Sequence, residues 1–515
     1  MSDAFLTALE NTFTLKVLAV ILVSASYGLF VGAIPGLTAT MAVALMVPFT
    51  FFLDPVSGLA AIVTMEACCI FAGDIPTTLM RIPGTPSSAA YVDDAYSLTL
   101  QGRHQQALGV SLVYSVVGGL VGALVLIFLA PQLARIAFEF SSYEYFWLCV
   151  LGLSCAAVVS RGSLAKGLLS LSIGLLLSCV GLGSTHSVPR LTFGFDELIT
   201  GINFIPAMIG LFGLAEVLRN FSKRIPDVDS VLSGATARPA AEHGNWLTRA
   251  VAEVFGGLGQ RLSKSGSRIA SSSAIGAAIG MLPGAGADIA AWVSYAVSKR
   301  RATPEKKDEY GKGSLDGIAD ATTANNASLA GAWIPALVLG IPGDSVTAIV
   351  IGVLLMKNIQ PGPGIFTDPV QLPLVYGIYI TFILANLLLI PLGFLAIRAG
   401  SLIIRIPRQI ILPLILMFCI VGAFAINGSY FDVGVMLAMG LLGVVLERFE
   451  VPAGPVVLGI ILGSRLEEAF VQSLTKSDSL AAFFGRPIAA GLGVLCIVLW
   501  LAPLVSWLRN RPSAG

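Results

Sequence analysis

Long apolar runs separated by short polar segments fill almost the whole chain. A run of about 20 apolar residues is long enough to cross a bilayer as a helix. The runs lie at residues 14–33, 37–53, 55–90, 106–130, 145–160, 167–185, 198–218, 269–297, 315–349, 370–397, 409–427, 430–447, 451–469 and 484–508. This pattern predicts an all-α polytopic membrane protein.

Composition supports this class, because 56% of the residues are hydrophobic and only 12% are charged, with a mean hydropathy of +0.85. The seven cysteines lie in apolar runs without the spacing of metal ligands, so we expect buried small side chains. The sequence has no HExxH motif and no GxSxG motif with a suitably placed histidine. We therefore expect neither an enzyme nor a bound cofactor.

Two apolar stretches carry the same unusual pattern of proline and glycine. Ile75-Pro76 and Ile82-Pro83-Gly84 match Ile334-Pro335 and Ile341-Pro342-Gly343 at a constant offset of 259. Proline and glycine interrupt helices, and the freed backbone groups cannot be satisfied by lipid. We therefore expect discontinuous helices at both places, buried in protein or facing a watery cavity.

A second pair of motifs precedes the first in each half. Gly32-Ala33-Ile34-Pro35-Gly36 resembles Gly280-Met281-Leu282-Pro283-Gly284 at an offset of 248, and Pro283 to Gly286 would form the tip of a re-entrant hairpin. The basic segment 219–268 separates the two sets of motifs. We infer a first transmembrane repeat at 1–218, a cytoplasmic linker at 219–268, a second repeat at 269–470 and an extra span at 471–515.

Charge distribution predicts that the two repeats are inverted relative to each other. If each repeat contains one re-entrant hairpin, one long broken span and four ordinary spans, it crosses the membrane an odd number of times. This topology places 23 Lys and Arg residues in the cytoplasm and seven outside, as the positive-inside rule requires. We expect about eleven spans and two hairpins, although residues 14–53 could form two full spans instead.

Inverted repeats with broken helices in matching positions indicate the binding site of a secondary transporter. Helix N-termini that meet near the midplane offer N–H groups to a carboxylate, and freed carbonyls can coordinate a cation. The hydroxyl groups after each Pro-Gly could contact the ligand or could cap the following helix. The expected substrate-binding residues are Pro35, Gly36, Thr38, Arg81, Pro83, Gly84, Thr85, Ser87, Pro283, Gly284, Ala285, Gly286, Asn325, Asn326, Pro342, Gly343, Ser345 and Thr347.

Polar side chains at membrane depth need a function or a partner, since burial of an ionisable group is costly. Asn325 and Asn326 could bind the ligand or a cation, or could form interhelical hydrogen bonds. Arg81 could clamp a substrate carboxylate, or could pair with Asp74 or Glu66. The expected ion-coupling residues are Asp74, Asp288, Asn325 and Asp344.

Five segments of the chain, in order, resemble the large membrane subunit of the tripartite tricarboxylate transporter family. They are GAIPGLTATMAVALMVPF at 32–49, RIPGTPSSA at 81–89, IGMLPGAGADIAAWVSYAVSKR at 279–300, GKGSLDGIADATTANNA at 311–327 and IPALVLGIPGDSVTA at 334–348. The resemblance implies a multi-pass permease of the bacterial inner membrane with elevator-like movement. It also implies import of citrate-like carboxylates on a cation gradient, together with a small membrane subunit and a periplasmic solute-binding protein.

This chain departs from the usual family pattern at Thr322, Asp74 and Arg81, where the family tends to have Glu, Ser and Asn. We expect these changes to affect substrate choice or ion coupling. An anion channel or a uniporter of carboxylates is the alternative to a coupled carrier, because broken helices also line pores.

Overall fold

The computed structural model describes residues 2–159, 163–183, 188–222, 246–283, 286–403, 408–477 and 479–509, and these ranges are mostly helical. The α-helices are α1 (Ser2–Thr12), α2 (Leu15–Gly32), α3 (Ala39–Phe51), α4 (Pro55–Ala72), α5 (Asp74–Met80), α6 (Val92–Leu100), α7 (His104–Ala137), α8 (Ser142–Val159), α9 (Leu164–Ser178), α10 (Phe204–Met208), α11 (Ala215–Ser222), α12 (Trp246–Phe255), α13 (Leu258–Lys264), α14 (Gly266–Gly280), α15 (Gly286–Arg301), α16 (Pro304–Lys307), α17 (Leu315–Leu339), α18 (Ser345–Met356), α19 (Leu372–Ile403), α20 (Arg408–Asn427), α21 (Tyr430–Arg448), α22 (Gly454–Lys476) and α23 (Pro487–Arg509).

Other regular structure is confined to short segments. A π-helical segment, Ile209–Leu214, joins α10 to α11. Strands β1 (Gly181–Leu182) and β2 (Pro189–Arg190) pair in antiparallel register, with Gly181 opposite Arg190. Single 3₁₀ turns lie at Ser88–Ala90, Asp196–Thr200, Pro363–Phe366 and Leu480–Phe484.

Several helices begin at side chains that are suited to cap them. The hydroxyl of Thr38 accepts a hydrogen bond from the backbone N–H of Met41 at the start of α3, and Ser314 caps α17 in the same way. Asp54 caps α4, where Pro55 occupies a first-turn position that needs no N–H donor. These local signals fix the points at which the apolar runs become helical.

The structure is that of a multi-pass α-helical membrane protein. Five helical segments in the described ranges are long and apolar enough to cross a bilayer: Leu15–Gly32, Pro55–Met80, His104–Ala137, Leu372–Gly400 and Tyr430–Arg448. Shorter apolar helices lie at Ala39–Phe51, Leu164–Ser178, Ser345–Met356, Leu412–Asn427 and Pro487–Leu501. The number of eleven spans stays a prediction.

Helices α4 and α17 form the centre of the molecule. Every residue of α17 except Asp316 is buried, and Trp333 packs edge-on against Phe382 of α19 at 5.4 Å between ring centroids. The long helix α7 packs along α17, whereas α19 packs along α4. Each half of the chain therefore places its long helix against the central helix of the other half.

Matching contacts recur in the two halves at the offsets found in the sequence. Glycines of α2 lie against backbone carbonyls of α4, and glycines of α14 lie against carbonyls of α17. Such small residues allow helices to approach closely in a membrane. The contacts are Gly28 with Met65, Gly32 with Cys69, Gly276 with Ala324 and Gly280 with Ser328.

The helix breaks also correspond between the halves. Arg81 follows α5 and Gly340 follows α17, and both adopt the left-handed conformation, with φ of 57° and 66°. The next N–H then turns back to a proline carbonyl, from Ile82 to Pro76 at 3.4 Å and from Ile341 to Pro335 at 3.3 Å. The chain therefore leaves both helices by the same turn.

One expectation about these breaks is wrong. Pro335 lies inside α17 and does not interrupt it, and Pro76 lies inside α5. Pro76 is in the first turn of its helix, where a missing N–H costs little. Proline is tolerated in the interior of a membrane helix because neighbouring groups satisfy the freed carbonyl. The chain leaves α5 and α17 at the second motif, after Met80 and after Leu339. In the first half, the single residue Gly73 also separates α4 from α5 just before the first motif.

The segment predicted as a polar linker is partly structured. Residues 223–245 lie outside the described ranges, but α12 and α13 belong to this segment. Val254 of α12 contacts α7 so closely that a Cβ at Gly109 would lie 1.9 Å from the Val254 carbonyl oxygen. The second part of the linker is therefore packed onto the first half of the molecule.

Candidate functional site

A cavity of about 670 Å³ lies where segments of both halves meet, beside the central helices α4 and α17. It is bordered by the N-terminal ends of α3, α15 and α18, and by residues of α11 and α21 on its other side. Cavities of several hundred Å³ are typical of small-molecule binding sites. This volume is sufficient for a small organic anion.

Three helix N-termini converge on the cavity. Thr38 precedes α3, Gly286 begins α15 and Ser345 begins α18, and all three residues line the cavity. The helices contain 13, 16 and 12 residues. Side chains already accept one first-turn N–H in α3, where Thr38 bonds Met41, and one in α18, where Asp344 bonds Thr347, so the remaining N–H groups are the ones open to the cavity. Helix N-termini carry partial positive charge and favour anions. The prediction that N-termini of broken helices meet at one place agrees with this geometry.

The lining is built from corresponding residues of the two halves. At the offset of 248 the pairs are Thr38 and Gly286, Ala39 and Ala287, and Thr40 and Asp288. At the offset of 259 the pairs are Glu66 and Asn325, Thr85 and Asp344, Pro86 and Ser345, and Ser87 and Val346. Both members of each pair line the cavity, so the cavity lies where the two repeated sets of motifs face each other.

The hydroxyl groups expected in the site divide between positions that line the cavity and a position that caps a helix. Thr85, Ser87 and Ser345 line the cavity, and the Thr85 and Ser87 hydroxyls are hydrogen-bonded to each other at 2.8 Å. Thr347 lies outside the lining and forms a capping box with Asp344, whose side chain accepts the Thr347 N–H at 2.8 Å. The capping interpretation therefore holds for Thr347.

The adjacent asparagines have different surroundings. Asn325 is 2% exposed and lines the cavity, and no hydrogen-bond donor among the described residues reaches its side-chain oxygen. Asn326 does not line the cavity and donates to the Thr322 carbonyl of its own helix at 3.2 Å. A buried amide oxygen without a donor is costly unless a ligand or ion supplies one. Asn325 is thus the stronger candidate of the two.

Glu66 lines the cavity, although the sequence analysis considered it only as a partner for Arg81. It is 1% exposed, and one carboxylate oxygen accepts the indole N–H of Trp333 at 3.3 Å. The sequence did contain a signal for it, because Glu66 precedes Asn325 by the same offset of 259.

Charged residues on α11 and α21 also line the cavity, and no sequence motif predicts their position there. Arg219 donates to Glu447 at 2.8 Å and also pairs with Glu216. Glu450, just after α21, pairs with Lys166 at 2.8 Å, and this cation holds the pKa of Glu450 below its usual range. This side of the cavity faces the region where the chain enters residues 219–268.

Many expected site residues do not line the cavity. Gly284 and Ala285 lie outside the described residues. The others are Pro35, Gly36, Asp74, Arg81, Pro83, Gly84, Pro283, Asn326, Pro342, Gly343 and Thr347. Gly84 and Gly343 instead allow close packing of the turns, since a Cβ at Gly84 would lie 2.4 Å from the Gly73 carbonyl oxygen.

Arg81 lies away from the cavity at the protein surface. Its guanidinium pairs with Asp93 at 2.7 Å, and 61% of its side chain is exposed. The predicted pairing with Asp74 or Glu66 is wrong, because the left-handed turn at Arg81 directs the chain toward α6.

Asp74 is buried in a separate polar cluster. The Tyr91 hydroxyl donates to one carboxylate oxygen at 2.5 Å, and the Ser111 hydroxyl donates to the other. These two donors give the carboxyl group a structural role between α5 and α7.

Comparison with known families matches residues 18–458 to the model described as "Tripartite tricarboxylate transporter TctA family". The chain belongs to the TctA family. The matched range includes all of the cavity residues, from Thr38 to Ala453. The resemblance found in the sequence is therefore confirmed.

Two relatives of this TctA-family chain come from Agrobacterium vitis. The first, "Uncharacterized 52.8 kDa protein in TAR-I ttuC' 3'region", is 33% identical over 492 residues, which cover 94% of this chain and 93% of the relative. The second, "Uncharacterized protein in TAR-II ttuC' 3'region", is 35% identical over 240 residues, which cover 46% of this chain and 98% of the relative. No solved structure matches the chain.

TctA-family membership makes transport the function class, and the multi-pass helical fold agrees with it. The cavity of this TctA-family chain combines helix N-termini with hydroxyl groups. Features of this kind can bind an anion in a membrane transporter.

Proposed function

We propose that this chain is the large permease subunit of a binding-protein-dependent importer, and that tricarboxylates or related carboxylates bind in the central cavity. The main support for this proposal is that the N-termini of α3, α15 and α18 converge on that cavity. Their N–H groups and partial positive charges favour a carboxylate without requiring a buried cationic side chain.

Side-chain donors complete the proposed substrate site. The hydroxyls of Thr38, Thr40, Thr85, Ser87 and Ser345 belong to cavity-lining residues. A hydroxyl has one O–H to donate, and one of the pair Thr85 and Ser87 already donates to the other, so that pair offers one free O–H. A hydrogen bond to a charged acceptor contributes about 1.5–3 kcal/mol. A small, highly oxygenated anion matches such a set of donors better than a long apolar one.

We further propose that the two halves are inverted repeats that expose the cavity alternately to the two sides by an elevator-like movement. The recurring glycine contacts and left-handed turns at constant offsets support two equivalent units. Sites at the interface of inverted repeats with broken helices are characteristic of secondary transporters. A cation gradient, of Na+ or H+, would drive this import.

Membership of the family suggests two partner proteins for this chain. A small membrane subunit would complete the permease in the bacterial inner membrane, and a periplasmic solute-binding protein would deliver the carboxylate. TctA-family membership supports this arrangement, since the family name describes a tripartite transporter.

Uptake into proteoliposomes tests the proposal. The chain is reconstituted with its small subunit, and labelled di- and tricarboxylates are supplied with the solute-binding protein, with and without an inward Na+ or H+ gradient. We expect accumulation above equilibrium that needs all three components and a gradient. Equilibrating flux through this chain alone would instead identify an anion channel or a uniporter.

Two isosteric substitutions locate the site. Thr85→Val removes a hydroxyl from the cavity, whereas Thr64→Val removes a buried hydroxyl of α4 that lies outside it. We expect a raised apparent KM for Thr85→Val and an unchanged one for Thr64→Val. Equal effects of the two substitutions would place the substrate elsewhere.

A further inference from the structure

The cavity is strongly acidic for a site that would receive an anion. Among the described residues, six carboxyl groups line it, and the cations beside them are Arg219 in the lining and Lys166, which pairs with Glu450. The six acids are Glu66, Glu216, Asp288, Asp344, Glu447 and Glu450. Arg219 is already engaged by two of these acids at one side of the cavity. If carboxylates bind here as proposed above, a cation must reduce the negative charge.

The deepest of these acids have no cationic partner among the described residues. Glu66 is 1% exposed, and its only described hydrogen-bond donor is the neutral indole of Trp333. Asp344 lines the same cavity as Glu66. Two nearby carboxylates in a low-dielectric site repel each other, and burial of an uncompensated charge is costly.

Asn325 supplies an independent sign of a missing ligand. Its amide lines the same cavity, its residue is 2% exposed, and its oxygen accepts no hydrogen bond from the described part of the chain. It corresponds to Glu66 in the other half. The two equivalent positions therefore both present an oxygen acceptor that lacks a charged or strong donor.

We propose that Glu66, Asn325 and Asp344 form a Na+ site in the central cavity. The three groups come from α4, from α17 and from the turn before α18, so the cation would join segments of both halves. Carboxylate and amide oxygens are the ligands that hard cations prefer. Water or the carboxylate of the substrate would supply the remaining ligands.

In this arrangement, binding of the anion is coupled to binding of the cation by electrostatic attraction. The first half contributes hydroxyls at positions 40 and 85, where the second half has Asp288 and Asp344. The anion would bind toward the hydroxyls of the first half and the N-termini of α3 and α15, and the cation toward Glu66, Asn325 and Asp344, whose carboxylate already caps α18. Each ion lowers the cost of burying the other, because opposite charges attract strongly in a site of low dielectric constant.

Binding of ²²Na+ to the purified chain, without substrate or partner subunits, tests the site directly. We expect saturable binding to the wild type, and a reduction in affinity of more than about tenfold for Glu66→Gln and for Asn325→Leu. The matched control is Asp432→Asn, which alters a buried acid of α21 that is hydrogen-bonded to Asn427 and lies outside the cavity. It should bind Na+ as the wild type does.

Thermal unfolding separates loss of the site from loss of the fold. Na+ should raise the Tm of the wild type, because a ligand that binds only the folded state stabilises it. Glu66→Gln removes an uncompensated charge, so its Tm without Na+ should equal or exceed that of the wild type, and Na+ should no longer raise it. Wild-type Na+ binding by Glu66→Gln would overturn the proposed site.

Two further outcomes are decisive. If Na+ has no effect on the wild type but acidification raises its Tm through Glu66, the group binds a proton and the Na+ site is wrong. If Na+ binds as expected but no carboxylate is taken up by the complete system, the cation site stands and the proposed function fails.

Discussion

Glu66 and Asn325 occupy equivalent positions in the two halves, separated by 259 residues, and both face the central cavity. One position carries an acid and the other an amide, so the two walls of the cavity differ in charge although they share a backbone plan. If the acid acts through the shared cavity, the presence of one acid should be more important than which of the two positions carries it.

The first prediction exchanges the two side chains. Glu66→Asn should abolish cation-dependent uptake, and the double variant Glu66→Asn with Asn325→Glu should recover at least part of it. The measurement is initial uptake rate against Na+ concentration in proteoliposomes. A double variant as inactive as Glu66→Asn, yet equally well folded, would show that the two positions are not functionally equivalent.

The second prediction compares neighbouring asparagines. Asn325→Ala should raise the apparent KM for substrate or Na+ by about 10-fold to 100-fold, the value of one hydrogen bond to a charged group. Asn326→Ala should leave the KM unchanged, because Asn326 bonds only within its helix and lies outside the cavity. Similar KM values for both variants would contradict the assignment of Asn325.

The third prediction concerns the surface ion pair of Arg81. Arg81→Ala should leave transport unchanged and should lower the free energy of unfolding by less than about 1 kcal/mol, as expected for an exposed pair. Its side chain is 61% exposed and bonded to Asp93. Uptake kinetics and chemical unfolding in detergent measure the two effects. A large rise in KM would show that Arg81 contributes to substrate binding and would contradict this prediction.

The fourth prediction concerns close packing at a helix break. Gly84→Ala should destabilise the fold by about 1–3 kcal/mol, since its Cβ would lie 2.4 Å from the Gly73 carbonyl oxygen. Gly434→Ala is the control, because no atom lies within 4 Å of the added Cβ in α21. Thermal unfolding should show a lower Tm for the first variant only.

The fifth prediction uses Asp54, which precedes α4. Partial burial opposes the ionisation of Asp54, but hydrogen bonds from Lys16 and Ser57 outweigh it and lower its pKa from 3.8 to about 2. Because the folded-state pKa is depressed, Asp54 stabilises the fold above pH 4 and loses this effect as the pH falls toward 2. We expect Asp54→Ala to cost about 1 kcal/mol at neutral pH.

Asp54→Asn separates the two contributions of Asp54. Asparagine still caps a helix, so this variant should retain most of the stability but lose the dependence on pH between 4 and 2. Unfolding measured across this pH range is the test. If Asp54→Asn is as unstable as Asp54→Ala, the ion pair with Lys16 dominates and the cap contributes little.

Much of the fold was accessible from the sequence because hydropathy and the paired Pro-Gly motifs are local signals. They predicted a helical membrane protein, breaks after Met80 and Leu339, and a meeting of helix N-termini. Thr85 and Ser345, which were expected to contact the substrate, both line the cavity, and their contact with substrate stays a prediction. These successes required only backbone chemistry and the constant offsets between the halves.

The remaining features depend on tertiary packing, which the sequence does not display. Arg81 looked like a buried cation, but its left-handed turn places it at the surface beside Asp93. Arg219 and Glu447 come from distant helices, and only folding brings them to one side of the cavity. Pro335 was expected to end a helix, yet the surrounding protein allows α17 to continue.

The reciprocal packing of α7 on α17 also constrains how the protein is made. Gly118 and Gly122 of α7 approach carbonyls of α17 that belong to the other half. At about 5–20 residues per second, roughly 10–40 seconds of synthesis pass between the end of α7 and the start of α17. During this interval the glycine surface of α7 has only lipid or the insertion machinery as a neighbour. A nascent chain that stops before α17 therefore leaves the glycine surface of α7 without its native partner.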